Sequence, residues 1–255
     1  MTRRRFHAPP EAFAPDGTSV VLAADEARHL RDVLRLGRGQ EVFVFDGEGR
    51  EFRCRVDESG RERAVLAVVG QVEPASPESP LQLTLALALL KGEKLDLVVQ
   101  KATELGARRV VPVVTRLADV RLRDHGETSR RVERLRRIAL EACKQSGRAR
   151  VPVIDAPVAY ESFVKSGPPA SAAEWRVLFA ERGGANLAGA IEGLRERPAS
   201  VTALVGSEGG WTDEELAQAR DAGWSIITLG GRILRAETAA ITVTALLQHA
   251  FGDLT

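Results

Sequence analysis

The sequence predicts an α/β protein in which a small β-rich module precedes a larger domain built on a parallel sheet. Its 255 residues are enough for two modest domains. From residue 81 onward, β-rich runs alternate with segments of helical periodicity, which is typical of parallel strands covered by helices. Residues 1–72 instead contain strand-like runs separated by turn-forming aspartate and glycine, which indicate a meander or a small barrel.

The β-rich module is predicted to start with a short helix at residues 25–34, where apolar side chains recur on one side. Three predicted strands follow, at residues 41–45, 51–56 and 64–69. The next segment, residues 73–80, is rich in proline and serine and offers nothing to pack. We expect it to be an interdomain linker.

The larger domain is predicted to occupy residues 81–255 and to begin with a strand at 81–89. Apolar residues at helical spacing then predict a helix over residues 94–105, which Gly106 ends. Further strands are expected at residues 110–114, 151–154, 177–180 and 201–205.

Two apolar runs in the last third of the chain, residues 203–205 and 226–229, are each followed by glycine. Each is predicted to be a strand, a glycine-rich turn and then a helix. Thr212 can cap the first of these helices, and Glu215 can complete a capping box. The second helix carries its apolar residues on one face: Ala239, Ala240, Val243, Leu246, Leu247 and Ala250.

Glycine-rich turns at the carboxyl ends of parallel strands favour ligand binding, because the backbone can approach closely and its N–H groups point outward. Neither a P-loop pattern nor a G-x-G-x-x-G pattern occurs in the chain. The turns therefore favour a ligand with an adenosine-like body and little provision for a triphosphate. The alternative is that these glycines only terminate strands and helices.

The charge distribution gives one indication of a nucleic-acid partner. The formal net charge is only +1, but residues 121–150 hold ten arginine or lysine residues against four acids. The apolar residues between 132 and 142 share one helical face, so the arginines project from other faces. This one-sided excess of positive charge favours binding to an RNA backbone over a merely solvated face.

Other chemistries have little support in the sequence. Cys54 and Cys143 lack metal-binding or redox spacing, and the four histidines are scattered, so we expect no metal site. No apolar core follows the basic N-terminus, and no stretch without Asp, Glu, Lys or Arg, such as residues 79–90, reaches the roughly 18 residues of a membrane span. We expect a cytoplasmic protein without a membrane partner.

The segments GSEGG at residues 206–210 and LGGRILRAETA at 229–239 resemble the two signature motifs of the bacterial 16S ribosomal RNA uridine-N3 methyltransferases, within the trefoil-knotted SPOUT class. Further stretches agree in order: HL at 29–30 with VLR at 33–35, KGEK at 91–94, QKATELG at 100–106 and QSGR at 145–148. Two positions depart from the family pattern. Ser207 stands where proline is common, and Lys144 stands where an acidic residue is common.

The resemblance implies an N-terminal PUA-like RNA-binding barrel and a C-terminal trefoil knot, in which the helix from about Ala236 threads through a loop. It also implies methyl transfer from S-adenosylmethionine to N3 of a uridine near the decoding end of 16S rRNA, in a homodimer. We expect the last helix to form the dimer interface, because its apolar surface (Val243, Leu246, Leu247 and Phe251) exceeds what one packed face requires. The implied cofactor-binding residues are Val205, Gly206, Ser207, Glu208, Gly209, Gly210, Leu229, Gly230, Ile233, Leu234 and Thr238, of which Thr238 could instead cap the last helix.

For catalysis, Arg235 is the candidate that stabilises the uracil anion, and Glu208 is a candidate base or hydrogen-bond orienter. Both could instead be architectural, with Arg235 paired to Glu237. The candidate RNA contacts are Arg4, Arg5, Phe6, Lys91, Lys94, Gln145 and Arg148. Two alternatives remain open: a SPOUT methyltransferase for another RNA position, and a catalytically silent RNA-binding or ribosome-assembly protein.

Overall fold

The computed structural model describes residues 3–120, 125–166 and 174–254. It divides the chain into two compact units. The first unit comprises Met1–Glu78 and Leu140–Val151, and the second comprises Ser79–Ala139 and Pro152–Thr255. The first unit therefore includes residues 73–78 of the predicted linker, and the second unit includes residues 79–80. The first unit also takes in residues 140–151, which the sequence placed within the larger domain.

In the first unit, the described strands form a five-stranded sheet in the order β1-β3-β4-β5-β2. Strand β1 pairs with β3 in parallel, and the other neighbours are antiparallel. A short helix, α1, continues as a wider helical turn at His29–Val33, which confirms the predicted helix. The three predicted strands are confirmed, and the sequence missed the two shortest. The strands and the helix are β1 (Arg5–His7), β2 (Ser19–Leu22), α1 (Ala24–Arg28), β3 (Glu41–Phe45), β4 (Glu51–Ser59) and β5 (Ala64–Val72).

A buried carboxylate, that of Glu51, organises the joint between the sheet of the first unit and residues 140–151. Its side chain is fully buried and accepts hydrogen bonds from Arg5 at 3.1 and 3.2 Å and from the backbone N–H of Ala75 at 2.9 Å. Arg5 also donates to the carbonyls of Cys143 and Arg148, both at 2.9 Å. The expectation that residues 73–80 pack against nothing is therefore wrong, because this segment supplies partners to the buried network.

The described strands of the second unit form one parallel eight-stranded sheet. The order is β11-β13-β10-β12-β6-β7-β8, with β9 paired to β7. Apolar side chains cover both faces of its central strands, which explains the continuous apolar runs in the sequence. The strands are β6 (Gln82–Ala88), β7 (Arg109–Val114), β8 (Val153–Ile154), β9 (Val158–Ala159), β10 (Glu174–Phe179), β11 (Ala185–Asn186), β12 (Ser200–Val205) and β13 (Ser225–Thr228).

The helix predicted at residues 94–105 and the helices predicted after the two glycine-rich turns are confirmed. The further helices are α2 (Lys94–Glu104), α3 (His125–Ser146), α4 (Tyr160–Lys165), α5 (Leu187–Glu192), α6 (Asp213–Asp221) and α7 (Ala236–Phe251). The capping box at the start of α6 is present, with both the Thr212 and the Glu215 side chains bonded to backbone N–H groups. None of the described helices is long and apolar enough to cross a membrane.

Helix α7 differs from its prediction in two respects. It begins after Arg235, so Thr238 lies inside the first turn and does not cap the helix. Its apolar residues are also mostly used within the chain, because Val243, Leu247 and Phe251 are buried and only Leu246 is exposed, at 37%. The expected surplus of apolar surface on α7 is therefore absent. The threading of this helix through a knot stays a prediction.

The basic stretch lies mainly on α3, whose predicted apolar face is buried. Several of its cations have partners within the second unit. Arg131 donates to the carbonyl of Leu90 at 2.9 Å, and Arg134 pairs with Asp96. Arg130 and Arg137 are exposed. Arg121 and Arg123, the other basic residues at its N-terminal end, lie outside the described residues.

Candidate functional site

Three neighbouring strands of the second unit end at one cavity of about 250 Å³. Strand β10 lies between β12 and β13, so the carboxyl ends of all three strands are adjacent. Parallel sheets bind their ligands at this edge. The cavity is lined by Phe179, Ala180, Glu181, Val205, Gly206, Ser207, Glu208, Trp211, Leu229, Arg232, Ile233, Leu234, Arg235, Ala236 and Ala239.

The first loop of the site, residues 206–210, follows β12 and is closed by a hydrogen bond from the Gly210 N–H to the Ser207 carbonyl at 3.0 Å. All three glycines of this loop are constrained. A Cβ on Gly209 would lie 2.8 Å from the carbonyl oxygen of Leu117. A Cβ on Gly206 would lie 3.1 Å from the Trp211 indole, and Gly210 has a left-handed φ of +70°. The indole is fixed by a 2.8 Å hydrogen bond from its Nε1 to the Phe179 carbonyl. The loop therefore runs closely over a rigid aromatic wall.

The second loop, residues 229–235, follows β13 and supplies an apolar wall. Leu229, Ile233 and Leu234 line the cavity, and Ile233 is 84% exposed. So exposed an aliphatic side chain at the edge of a cavity is available to cover a flat apolar ligand. The loop ends at Arg235, after which α7 begins.

A lysine links the first loop to the start of α7, the helix that follows the second loop. The Nζ of Lys94, at the start of α2, lies 2.7 Å from the Glu208 carboxylate and 3.9 Å from Oε2 of Glu237 in the first turn of α7. Partial desolvation raises the pKa of Glu208, but hydrogen bonds from Lys94 and from the backbone outweigh it, so the net pKa is lowered. The same hydrogen bond raises the pKa of Lys94. Glu208 is therefore held as an ionised hydrogen-bond acceptor at neutral pH.

Arg235 differs from Lys94 in having an uncommitted side chain. It is exposed and lines the cavity, and no hydrogen bond or ion pair holds its guanidinium among the described residues. The alternative in which Arg235 pairs with Glu237 does not occur in the structure, because Glu237 lies next to Lys94. A free guanidinium at this position can meet negative charge on a ligand.

The structure brings together most of the cofactor-binding residues expected from sequence. Gly209, Gly210, Gly230 and Thr238 do not line the cavity, whereas the others do: Val205, Gly206, Ser207, Glu208, Leu229, Ile233 and Leu234. Sequence reasoning missed the end of β10 and the residues that flank the two loops. They are Phe179, Ala180, Glu181, Trp211, Ala236 and Ala239, whereas Arg232 lies inside the predicted second loop. A strand followed by a glycine pair, residues 183–184, was the available signal for β10.

Three of the candidate RNA contacts are buried in the first unit. Phe6 is fully buried in its core, and the side chains of Arg5 and Arg148 are each 5% exposed. Arg148 pairs with Glu78 at 2.7 Å. A buried ring cannot stack on a base and a buried, paired guanidinium cannot reach a phosphate, so these three expectations are wrong.

The other candidate RNA contacts are accessible to different degrees. Arg4 and Gln145, both in the first unit, are exposed. In the second unit, Lys91 pairs with Asp119 at 2.7 Å on the surface, and Lys94 is engaged with Glu208. Within the described ranges, no three histidine, cysteine, aspartate or glutamate side chains are grouped as metal ligands.

Comparison with known proteins agrees with this geometry. Residues 77–248 match the family described as RNA methyltransferase domain, and residues 22–69 match the RNA methyltransferase PUA domain. The fold and the site are thus those of an RNA methyltransferase with an N-terminal PUA domain. The chain belongs to the ribosomal RNA small subunit methyltransferase E family, which confirms the resemblance at the level of the family.

Individual relatives cover nearly the whole chain. The ribosomal RNA small subunit methyltransferase E of Synechocystis sp. is 33% identical over 229 residues, covering 89% of this chain and 72% of that protein. The crystal structure of the enzyme of that name from Neisseria gonorrhoeae, bound to S-adenosylmethionine, is 31% identical with a TM-score of 0.87. The match covers 99% of this chain and 100% of that chain. A Legionella pneumophila structure in complex with the same cofactor is 29% identical with a TM-score of 0.88, covering both chains fully.

Proposed function

We propose that this protein transfers a methyl group from S-adenosylmethionine to N3 of a uridine in 16S ribosomal RNA, near its decoding end. The observation that carries the proposal is the cavity at the ends of β10, β12 and β13, which is formed by the two motif segments of the methyltransferase family. The relatives named above act, by their names, on small-subunit ribosomal RNA, and two related structures hold the cofactor.

The residues of the cavity fit the cofactor. The exposed aliphatic wall of the second loop suits an adenine ring, and the strand-end backbone suits hydrogen bonds to its edge. The hydroxyl of Ser207 is buried at the cavity with no hydrogen-bond partner in the described structure, so it has capacity for a ligand. The bound cofactor supplies an activated methyl group on a sulfonium, and therefore the chain needs to align the uridine and manage the N3 proton.

Arg235 is proposed to stabilise the uracil anion. Loss of the N3 proton places negative charge on the uracil ring and its carbonyl oxygens, and a free guanidinium at the cavity is suited to bind that charge. Glu208 is proposed to orient groups at the site, because the hydrogen bond from Lys94 occupies its carboxylate and disfavours its protonation.

The RNA is proposed to contact exposed polar side chains of each unit, Arg4 and Gln145 on the first and Arg130 and Arg137 on the second. Lys91 is included because a surface ion pair such as Lys91–Asp119 exchanges readily for a phosphate. A homodimer in the cytoplasm is proposed from the family resemblance. A monomer mass in light scattering at micromolar concentration would contradict the homodimer.

The proposed activity is tested with labelled cofactor and small ribosomal subunits that lack the modification, followed by nucleoside mass spectrometry. We expect 3-methyluridine. A methylated product on another base or on a ribose would indicate a different RNA position. Cofactor binding without transfer to any RNA would contradict the activity, and absence of cofactor binding would favour a silent RNA-binding protein.

The role of Arg235 is tested with Arg235→Ala against Arg197→Ala, a control at an exposed arginine that does not line the cavity. Removal of one anion-stabilising donor lowers the rate constant by about 10²- to 10³-fold. We expect that loss for Arg235→Ala, with little change in cofactor affinity and no change for the control. Equal rate constants for both variants would refute the assignment.

A further inference from the structure

Glu181 lines the cavity but has no part in the proposed methyl transfer or in the ion pair of the first loop. It follows β10 by two residues and lies at the edge of the sheet between the two loops. Its side chain is exposed, and no hydrogen bond or ion pair of the described residues engages its carboxylate. The other acidic residue that lines the cavity, Glu208, is occupied by Lys94. Glu181 is therefore a carboxylate at the cavity with both oxygens uncommitted.

This carboxylate lies close to the first loop. Its Oε1 and Oε2 lie 2.6 and 2.7 Å from the place where a Cβ of Gly210 would be. A side chain at position 210 would therefore displace the carboxylate as well as strain a left-handed backbone. Gly210 does not line the cavity, but its lack of a side chain leaves space for the Glu181 carboxylate.

The order of the strands indicates which part of an adenosine ligand Glu181 faces. The loop after β13 is apolar, with Leu229, Ile233 and Leu234, and suits the adenine ring. The loop after β12 carries Ser207 and Glu208 and suits the polar end of the ligand. Because β10 lies between β12 and β13, Glu181 would face the middle of an adenosine ligand that spans both loops. The middle part of such a ligand is its ribose.

An ionised carboxylate only accepts hydrogen bonds, and its two oxygens match a pair of neighbouring hydroxyl donors. Dinucleotide-binding sheets use an acidic side chain on ribose hydroxyls in the same way. We propose that Glu181 binds the cofactor by accepting hydrogen bonds from its ribose hydroxyls. This inference rests on the proposed function, because it requires that the cavity binds S-adenosylmethionine.

The test is calorimetric binding to the full chain, without any methyl transfer. The probes are S-adenosylhomocysteine, its 2′-deoxy derivative, and methylthioadenosine, which lacks the amino-acid part. The variants are Glu181→Ala and Glu181→Asp, with Glu196→Gln as a control at an exposed glutamate outside the cavity lining. Thermal melting followed by tryptophan fluorescence checks that each variant is folded.

We expect Glu181→Ala to weaken S-adenosylhomocysteine and methylthioadenosine by a similar factor, about 10- to 100-fold, the range for hydrogen bonds to a charged group. The loss should be clearly smaller for the 2′-deoxy derivative. Glu181→Asp should lie between Glu181→Ala and the wild type, and Glu196→Gln should match the wild type.

Two results would overturn the inference while leaving the proposed function intact. One is unchanged affinity of Glu181→Ala for all three probes. The other is a loss confined to S-adenosylhomocysteine, because the carboxylate would then pair with the ammonium of the amino-acid part. A wild-type chain that binds none of the probes and no S-adenosylmethionine would overturn both proposals together.

Discussion

Replacing Gly206 by alanine tests the rigidity of the cavity wall. The added Cβ would lie 3.1 Å from both Cε2 and Nε1 of Trp211, closer than the optimal separation of about 3.5–4.0 Å between carbon atoms. The indole cannot retreat freely, because Nε1 is bonded to the Phe179 carbonyl at 2.8 Å and the Tyr160 ring lies 5.4 Å away. We expect the second unit to lose about 1–3 kcal/mol of unfolding free energy, the usual cost of an extra methyl in a packed site.

Urea unfolding, monitored by tryptophan fluorescence, measures this loss in the second unit. All three tryptophans of the chain, Trp175, Trp211 and Trp224, belong to the second unit. Gly231→Ala is a matched control in the second loop, where an added Cβ meets no atom within 4 Å and the backbone is not left-handed. The control should change the unfolding free energy by less than about 0.5 kcal/mol. Equal midpoints for Gly206→Ala, the control and the wild type would refute the packing argument.

Three other variants test separate features. Thr212→Ala removes the hydroxyl that accepts from the Glu215 N–H at 3.2 Å and should cost about 1 kcal/mol in the same urea experiment; no loss would contradict the cap. Lys94→Met removes the hydrogen bond that lowers the pKa of Glu208, so an NMR titration should show that pKa rising, and an unchanged titration would contradict the pairing. Burial and, to a smaller extent, the positive charge of Lys144 lower the pKa of His7 below its ordinary 6.5. Its neutral form therefore stabilises the first unit fully above pH 6.5, and this contribution declines as the pH falls from 6.5 toward the lowered pKa. His7→Gln should remove that decline in hydrogen-exchange protection, whereas an identical pH profile would refute it.

The parallel strands could be predicted from sequence because strands buried on both faces are continuous apolar runs. The capping box of α6 could be predicted because Thr212 and Glu215 are close in the chain and their geometry is local. Strands β1 and β2 could not, since three or four residues carry too little pattern to separate them from a loop.

The place of residues 140–151 depends on interactions that are distant in sequence. The helical periodicity of α3 continues through them, so the pattern gave no reason to end the larger domain there. What holds them in the first unit is the bond from Arg5 to the Cys143 carbonyl and the ion pair between Arg148 and Glu78. Such partners are 70 to 138 positions apart, and only the folded chain shows them.

The candidate site was predicted only in part, again because it depends on contacts between segments that are distant in sequence. The glycines after β12 and β13 marked two loops, but the order of the strands cannot be read from one sequence. Strand β10 precedes both loops along the chain, yet it lies between β12 and β13 in the sheet. From sequence alone, Glu181 is therefore one acidic residue after a predicted strand. Its proposed role follows from the neighbouring strands in the sheet.

The partners of Lys94 also lie far away in sequence, and they bear on how the site is built. The resemblance assigned Lys94 to RNA, as part of a segment separate from the two motif loops. In the structure its ammonium lies 2.7 Å from Glu208 of the first loop and 3.9 Å from Glu237, just after the second. One cation thus lies close to carboxylates of the first loop and of α7. Because this ion pair engages Lys94 while the uncommitted guanidinium of Arg235 lines the cavity, we propose that positioning and charge stabilisation belong to different side chains.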